Sequence, residues 1–289
     1  GNAVDFGDIV ETGYQGSPAA SSTRGEIMGL YNGGQTGTVE FITIASQGNA
    51  TRFGDLSVAG MTSAGLSNSV RGIMPGRQNA DGNGVNTIDF NIIANGGTSV
   101  DFGDLNFVMG GKGAACSNGH GGLNEGYQGT RNINLPYGNI VRFGGIGVGD
   151  LAMFNNAAAL ETLQISTLGN AVNFGTLSAS GNGTGMSSNT RAVYHFGSVN
   201  NSTIEYVEFQ SKGNGADFGD VTVNRQNLGG VASHVRGVLL GGEEPAASNV
   251  MDYITIATIG NATDFGNLTV ARGNTAGLGN NTRGLCVGG

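Results

Sequence analysis

The chain has 289 residues, 55 of them Gly, 4 Pro and no Trp, and only 12% are charged, against roughly 25% in an average soluble domain. With a net charge of −8 and only 13 Lys and Arg in all, it lacks the clustered basic surface that nucleic-acid binding through phosphates requires. No apolar run approaches the roughly 18 residues of a spanning helix, so membrane insertion by that route is excluded too.

The chain opens inside a repeat. GNAVDFG at Gly1 is rewritten as GNATRFG at Gly48, GTSVDFG at Gly97, GNIVRFG at Gly138, GNAVNFG at Gly169, GNGADFG at Gly213 and GNATDFG at Gly260. Phe6, Phe53, Phe102, Phe143, Phe174, Phe218 and Phe265 anchor these seven copies at steps of 31 to 49 residues. A period of that size marks an array of small units, none of which buries its apolar face alone.

Within a unit the apolar residues alternate at the strand period. FITIAS at Phe41 shows this, as do LETLQIST at Leu160, IEYVEFQS at Ile204 and MDYITIAT at Met251. A second strand contains the Phe-Gly pair, as in DFGDVTV at Asp217. After a Gly-rich turn come a weaker strand such as NTAGLGN at Asn274 and a fourth such as TRGEIMGLYNGG at Thr23 or TRGLCVGG at Thr282. Four short strands per unit without a helical segment describe a propeller blade. The expectation is an all-β chain forming a single β-propeller domain over 1–289. Seven blades are expected, with six as the alternative. The Gly residues fall at fixed repeat positions beside β-branched and aromatic residues, which argues against disorder.

Departures from the repeat come in chain order. PGRQNADGNG at Pro75 reads as an unusually long polar turn. Residues 111–151 are irregular, and the 31-residue step from Phe143 to Phe174 predicts a reduced blade near 138–174. GGEEP at Gly241 reads as an acidic tip. At ring closure no counterpart of VMDYITIA remains, so the closing blade has three strands or the native chain extends beyond residues 1 and 289.

Arg24, Arg71, Arg191, Arg236 and Arg283 share one repeat position, before the Gly-Gly strand. A residue needed in every blade reads as scaffold: each Arg is expected to tie backbone carbonyls, or the Asp of the DFG segment, between neighbouring strands. The seven Phe rings are expected to fill the spaces between blades. Cys116 and Cys286 occupy non-equivalent positions and read as free thiols. His120, His195 and His234 are isolated, so no metal and no cofactor is predicted. The recurring Asp-Phe-Gly lacks the other signatures of a protein kinase. GNGTG at Gly181 has no following helix to make a phosphate cradle. The acid pairs Asp101 with Asp104 and Asp217 with Asp220 lack the oxygen-ligand ladder of a calcium loop and read as turn residues.

The order ARGNTAGLGNNTRGLCVGG, then VMDYITIA, then GNATDFG, resembles a kelch repeat, with Phe standing where kelch repeats carry Trp. The wording TIA-x-x-GNATDFG-x-LTVAR and AG-L-S-N-S-x-RG is similar, over essentially the whole chain, to kelch-like arrays in virion proteins of marine tailed bacteriophages, cyanophages among them. The resemblance implies a non-enzymatic structural protein of the virion surface, on a tail or capsid. Its partners would be other virion proteins, in one copy or several, and a glycan or protein of the host surface. A carbohydrate-binding propeller is the alternative, weakened by the absence of Trp, and a propeller enzyme is a further one. Kelch-type oxidases need a Tyr and His copper set and neuraminidases an Arg cluster with a Tyr nucleophile, and neither is found. Positions identical from blade to blade are accounted for by stacking, so a specific contact is expected where the pattern breaks. The largest break, 111–138, supplies the candidate partner-docking residues His120, Asn124, Glu125, Tyr127 and Arg131.

Overall fold

The computed structural model describes residues 1–62, 64–110, 113–119, 158–179, 181–197, 200–211 and 213–289 in full, and the backbone of 151–156. These residues form strands and turns and no helix. Six antiparallel sheets follow one another along the chain. The first holds β1–β4 (Ser17–Ala20, Arg24–Met28, Thr38–Thr43, Thr51–Asp55), and the second β5–β9 (Gly60–Met61, Leu66–Ser67, Arg71–Asn79, Gly84–Ile92, Val100–Met109). The third holds β10–β13 (Ala114–Ser117, Leu151–Asn156, Ala159–Gln164, Val172–Thr176), and the fourth β14–β17 (Thr184–Ser187, Arg191–His195, Thr203–Glu208, Ala216–Asp220). The fifth holds β18–β22 (Gly229–Ala232, Arg236–Leu240, Glu243–Glu244, Ala246–Thr255, Thr263–Arg272), and the sixth β23 and β24 (Ala276–Gly279, Gly284–Val287).

The innermost strands β1, β6, β10, β14, β18 and β23 each touch the next, and β23 touches β1. The sheets therefore close into a β-propeller around one axis. The alternating third strands turn one face to each neighbour. Ile42 and Ile44 share a core with Leu278 and Leu285 of the sixth blade, whereas Val39 packs with Met74 of the second.

The Phe-Gly pair makes the ring. In five blades the third and fourth strands slip by one residue, and the residue left out of the pairing is the repeat Phe. Val39 pairs with Gly54 and Glu40 with Arg52, passing over Phe53. Phe102, Phe174, Phe218 and Phe265 are passed over in the same way. Such a β-bulge takes one backbone unit out of the ladder, and backbone groups so released need another partner. The next blade supplies it. Phe6 O accepts from Gly48 N at 3.0 Å, Phe53 O from Gly97 N at 3.1 Å, Phe102 O from Gly169 N at 3.1 Å and Phe218 O from Gly260 N at 2.8 Å. The Gly1 amino group donates to Phe265 O. A second bond, two residues further on, forms at all six seams, the one after Phe174 included. The donors are Ala50, Ser99, Ala171, Gly215, Ala262 and Ala3, and the acceptors are the carbonyls of Asp8, Asp55, Asp104, Thr176, Asp220 and Asn267, at 2.7–2.9 Å. Six steps return to the starting blade.

This contact also explains the Gly after each Phe. A Cβ on Gly54 would lie 2.0 Å from Gly97 O, and one on Gly175 2.0 Å from Gly213 O. At Gly7, Gly103, Gly219 and Gly266 the same atom would come within 2.8 Å of the backbone of the following blade. Only glycine permits that approach.

Three expectations are corrected. The described residues form six sheets, not seven: the seam bond from Phe102 runs directly to Gly169, and the GNIVRFG copy with its Phe143 lies outside the described residues. The blade over 138–174 is not reduced. Ala114–Ser117 serves as its innermost strand, and the irregular segment separates that strand from Leu151–Asn156. PGRQNADGNG is largely strand: β7 runs through Asn79 to a short turn at 80–83, and its Arg77 is buried at 1% exposure.

Phe102, Phe174 and Phe218 are buried, while Phe6, Phe53 and Phe265 are half-buried against the adjoining cores. The repeat Arg residues reach across blades. Arg24 Nη1 donates to Ile93 O and Ala94 O at 3.1 and 2.7 Å, Arg71 to Ile165 O at 2.7 Å, Arg191 to Ile256 O at 2.8 Å and Arg283 to Ile44 O at 2.6 Å. Each acceptor lies at or just past the end of the following blade's third strand, and no Asp of a DFG segment takes part. Arg24, Arg71, Arg191 and Arg236 also stack on the aromatic residue of their own third strand, at 4.3–4.8 Å. Arg236 is the exception among the described residues: it is exposed, lies 4.5 Å from the Tyr253 ring and has no carbonyl partner. A charge-assisted bond is worth about 1.5–3 kcal/mol, so Arg71→Ala is expected to lower Tm by several degrees and Arg236→Ala by much less. Differential scanning calorimetry of the two variants checks this order.

Candidate functional site

The axis is the first place to look for a ligand, and it is filled. Its lining comes from all six inner strands, among them Ala19, Ser67, Ala115, Gly185, Gly230 and Gly277, around a cavity of about 50 Å³. That volume holds a few waters at most, well below the roughly 300 Å³ at which small-molecule pockets begin. Hydroxyl groups stitch neighbouring inner strands: Ser67 Oγ donates to Ala20 O at 2.7 Å, Ser117 Oγ to Ser67 O, and Ser187 Oγ to Ser117 O at 2.7 Å.

A second set of groups recurs once per third strand: Glu40, Asp89, Glu161, Glu205 and Asp252, all buried. Each directly follows the bulge, which re-aims its side chain toward the preceding blade. The glutamates reach that blade's backbone. Glu40 accepts from Val10 N and Glu11 N at 2.8 and 2.7 Å, Glu161 from Asn106 N at 3.0 Å and Glu205 from Ser178 N at 3.0 Å. Aspartate is one methylene shorter and needs intermediaries. Ser57 Oγ donates to Asp89 at 2.6 Å and Thr222 Oγ1 to Asp252 at 2.5 Å. Each Asp also carries a buried Arg: Arg77 on Asp89 at 3.0 Å and Arg225 on Asp252 at 2.8 Å. Burial pushes the Glu40 carboxyl up, and the two N–H donors only partly offset it. Residue-by-residue reading missed this set, although an acid inside an apolar alternating strand, between the apolar residue and the aromatic in VEF, IDF, IEY and MDY, was a visible signal.

Four further titratable groups are shielded from solvent wholly or in part. His195 lies between Thr203 O and Arg225 O at 3.2 and 3.1 Å, and burial lowers its pKa, favouring the neutral ring. Cys116 and Cys286 are free thiols. Burial pushes Cys116, beside the Tyr194 hydroxyl, up to about 12, and Cys286 to about 11, so neither is a thiolate at neutral pH. Glu26 is 0% exposed, on the first blade's second strand where other blades carry Ile73, Val193 or Leu285. Burial raises its carboxyl to about 7, with Asn91 of the second blade as a partial offset. Among the described residues no group of three or more His, Cys, Asp or Glu is placed to hold a metal ion.

The candidate docking residues His120, Asn124, Glu125, Tyr127 and Arg131 lie outside the described residues. Their segment joins Ser117 to Leu151, taking the place of the short turn that links the first two strands in the other blades, such as 21–23 and 188–190. The acidic tip is partly anchored. Glu243 accepts from the side-chain amides of Asn227 and Asn274, each at 2.8 Å, while Glu244 is exposed.

Compared with known families and with curated proteins, the chain matches no family model and no individual sequence.

The Glu26 site gives a pH test. Its folded pKa of about 7 stands above the ordinary 4.5, so folding takes up a proton between those values, and stability falls as pH rises through that window. At pH 8 the cost of the buried acid is on the order of 3 kcal/mol. Glu26→Gln keeps the shape of the neutral acid. It is expected to raise Tm at pH 8 and leave it nearly unchanged at pH 4.5. Melting both proteins across that range checks the sign.

Proposed function

We propose that this propeller is a non-enzymatic docking module of a virion surface, holding other virion proteins or a host-surface glycan or protein on a rigid ring. The observation that carries the reading is where the buried polar groups go. The bulge carbonyls, the third-strand carboxylates and four of the repeat Arg residues are all spent on joining one blade to the next. Such a ring is a rigid platform, and what differs between its blades is what a partner can read. The largest difference is the segment between Ser117 and Leu151, which leaves and re-enters on the face that also carries the short first-to-second-strand turns. The virion setting rests on the resemblance of the repeat wording.

Replacing residues 119–150 with a three-residue turn like 188–190 separates platform from contact. The shortened chain is expected to keep its Tm within a few degrees but to fail to sediment with particles that retain the full chain. Incorporation equal to that of the full chain would overturn the reading.

A further inference from the structure

The first and second blades meet through a different set of side chains from the other seams. On the inner two strands of a blade, one cross-strand pair packs toward the following blade. It is Leu66 with Ile73 in the second blade, Met186 with Val193 in the fourth, Val231 with Val238 in the fifth and Leu278 with Leu285 in the sixth. All four pairs are apolar. In the first blade the pair is Ala19 with Glu26. The surface opposite has changed in step. The side chains that crowd Gly25 are Leu278 and Ile42, and those at Gly237 are Met186 and Ile254. At Gly72, the same position in the second blade, they are Ala19, Glu26 and Asn91. Three apolar places have become Ala, Glu and Asn at a single seam.

The outcome is a buried acid with nothing to bond it. Glu26 is 0% exposed and Asn91 4%, and neither Glu26 oxygen nor either polar atom of the Asn91 side chain has a hydrogen-bond partner among the described residues. Glu26 Oε2 and Asn91 Oδ1 each stand 2.7 Å from where a Cβ on Gly72 would lie, so two oxygens converge on one glycine. The charged groups of the surrounding strands are engaged elsewhere. Arg24 is held by Ile93 O and Ala94 O, Arg71 by Ile165 O, Glu40 by Val10 N and Glu11 N, and Arg77 and Asp89 by each other. Strands β1 and β6 carry no titratable residue. Burial accordingly outweighs the pull of Asn91 and Arg24 on the carboxyl.

A neutral carboxylic acid and a primary amide are complementary, the acid O–H donating to Oδ1 and the amide N–H to the acid carbonyl. A carboxylate has no proton to give, and its charge in such a pocket requires water. The route for that water is the axial cavity. Ala19, Leu66, Cys116, Met186, Val231 and Leu278 line it, one from each blade, and Ala19 is the smallest.

We infer that the seam between the first and second blades is a proton-controlled joint: with Glu26 protonated the two blades pack dry, and when Glu26 loses its proton, water enters from the axial cavity past Ala19 and loosens the axial half of this seam alone. The bonds of Gly97 and Ser99 to the first blade, farther from the axis, stay closed in both states. The inference concerns the ring itself and does not rest on the docking function.

Two inner-strand amides report on it. Ala20 N donates to Ser67 Oγ at 2.9 Å across this seam, and Gly229 N to Thr275 Oγ1 at 2.8 Å across the seam of the fifth and sixth blades. Hydrogen exchange of the full chain is followed by NMR at pH 6 and pH 8.5, with the intrinsic pH dependence of exchange divided out. Protection of Ala20 is expected to fall about tenfold at the higher pH, while that of Gly229 stays constant. In Glu26→Gln, which keeps the shape of the neutral acid, the fall at Ala20 is expected to vanish. Glu26→Leu, which copies Leu285 of the sixth blade, is a second variant expected to abolish it. Constant protection at Ala20, an equal fall at Gly229, or a fall that persists in the two variants would each overturn the proposal.

Discussion

The ring depends on one backbone event repeated in five of its six blades: a bulge that expels a Phe from the strand ladder and turns the backbone around it toward the next blade. The bulge does three things at once. It releases an acceptor that the following Gly-Asn-Ala turn satisfies, turns the third-strand acid toward the preceding blade, and lodges an aromatic ring at the seam. A seam made mainly of backbone bonds needs close approach. That requirement accounts for the glycines on both sides of it and for much of the chain's unusual Gly content.

Buried polar groups fit the same logic. An unpaired carboxylate in a core costs far more than its bond returns, and the third-strand acids are tolerated because the adjoining blade supplies donors. Glu reaches them directly, while Asp89 and Asp252 need a hydroxyl and a buried Arg to span the same gap. Removing either Arg would leave its Asp as an uncompensated buried charge. Glu26 stands outside the rule, and its carboxyl is correspondingly displaced toward neutrality.

The fold was largely legible because its repeat is written in residues that have one physical reason each. Phe-Gly, the strand alternation and the shared Arg position all found places in the ring. Blade number was less legible. Counting motif copies does not count blades: the seam bond from Phe102 runs directly to Gly169, although a further copy stands between them in the sequence. The direction of the Arg contacts was also beyond the sequence, since strand spacing does not say whether a carbonyl belongs to the same blade or the next. The third-strand acids were visible but unread, because a single acid in an apolar strand looks like a solvent-facing residue until the bulge before it is known. The candidate docking residues 120–131 fall where the repeat offers no template.

Amide hydrogen exchange at Ala50, Ser99, Ala171, Gly215 and Ala262 tests the central claim most directly. These five residues lie outside every strand, yet each N–H is bonded across a seam at 2.7–2.8 Å. The account predicts that they exchange as slowly as amides in the central strands and lose protection together, in one cooperative step. Exchange at the rate of an open loop, with the third strands still protected, would show that the blades are held by their side chains alone and contradict it.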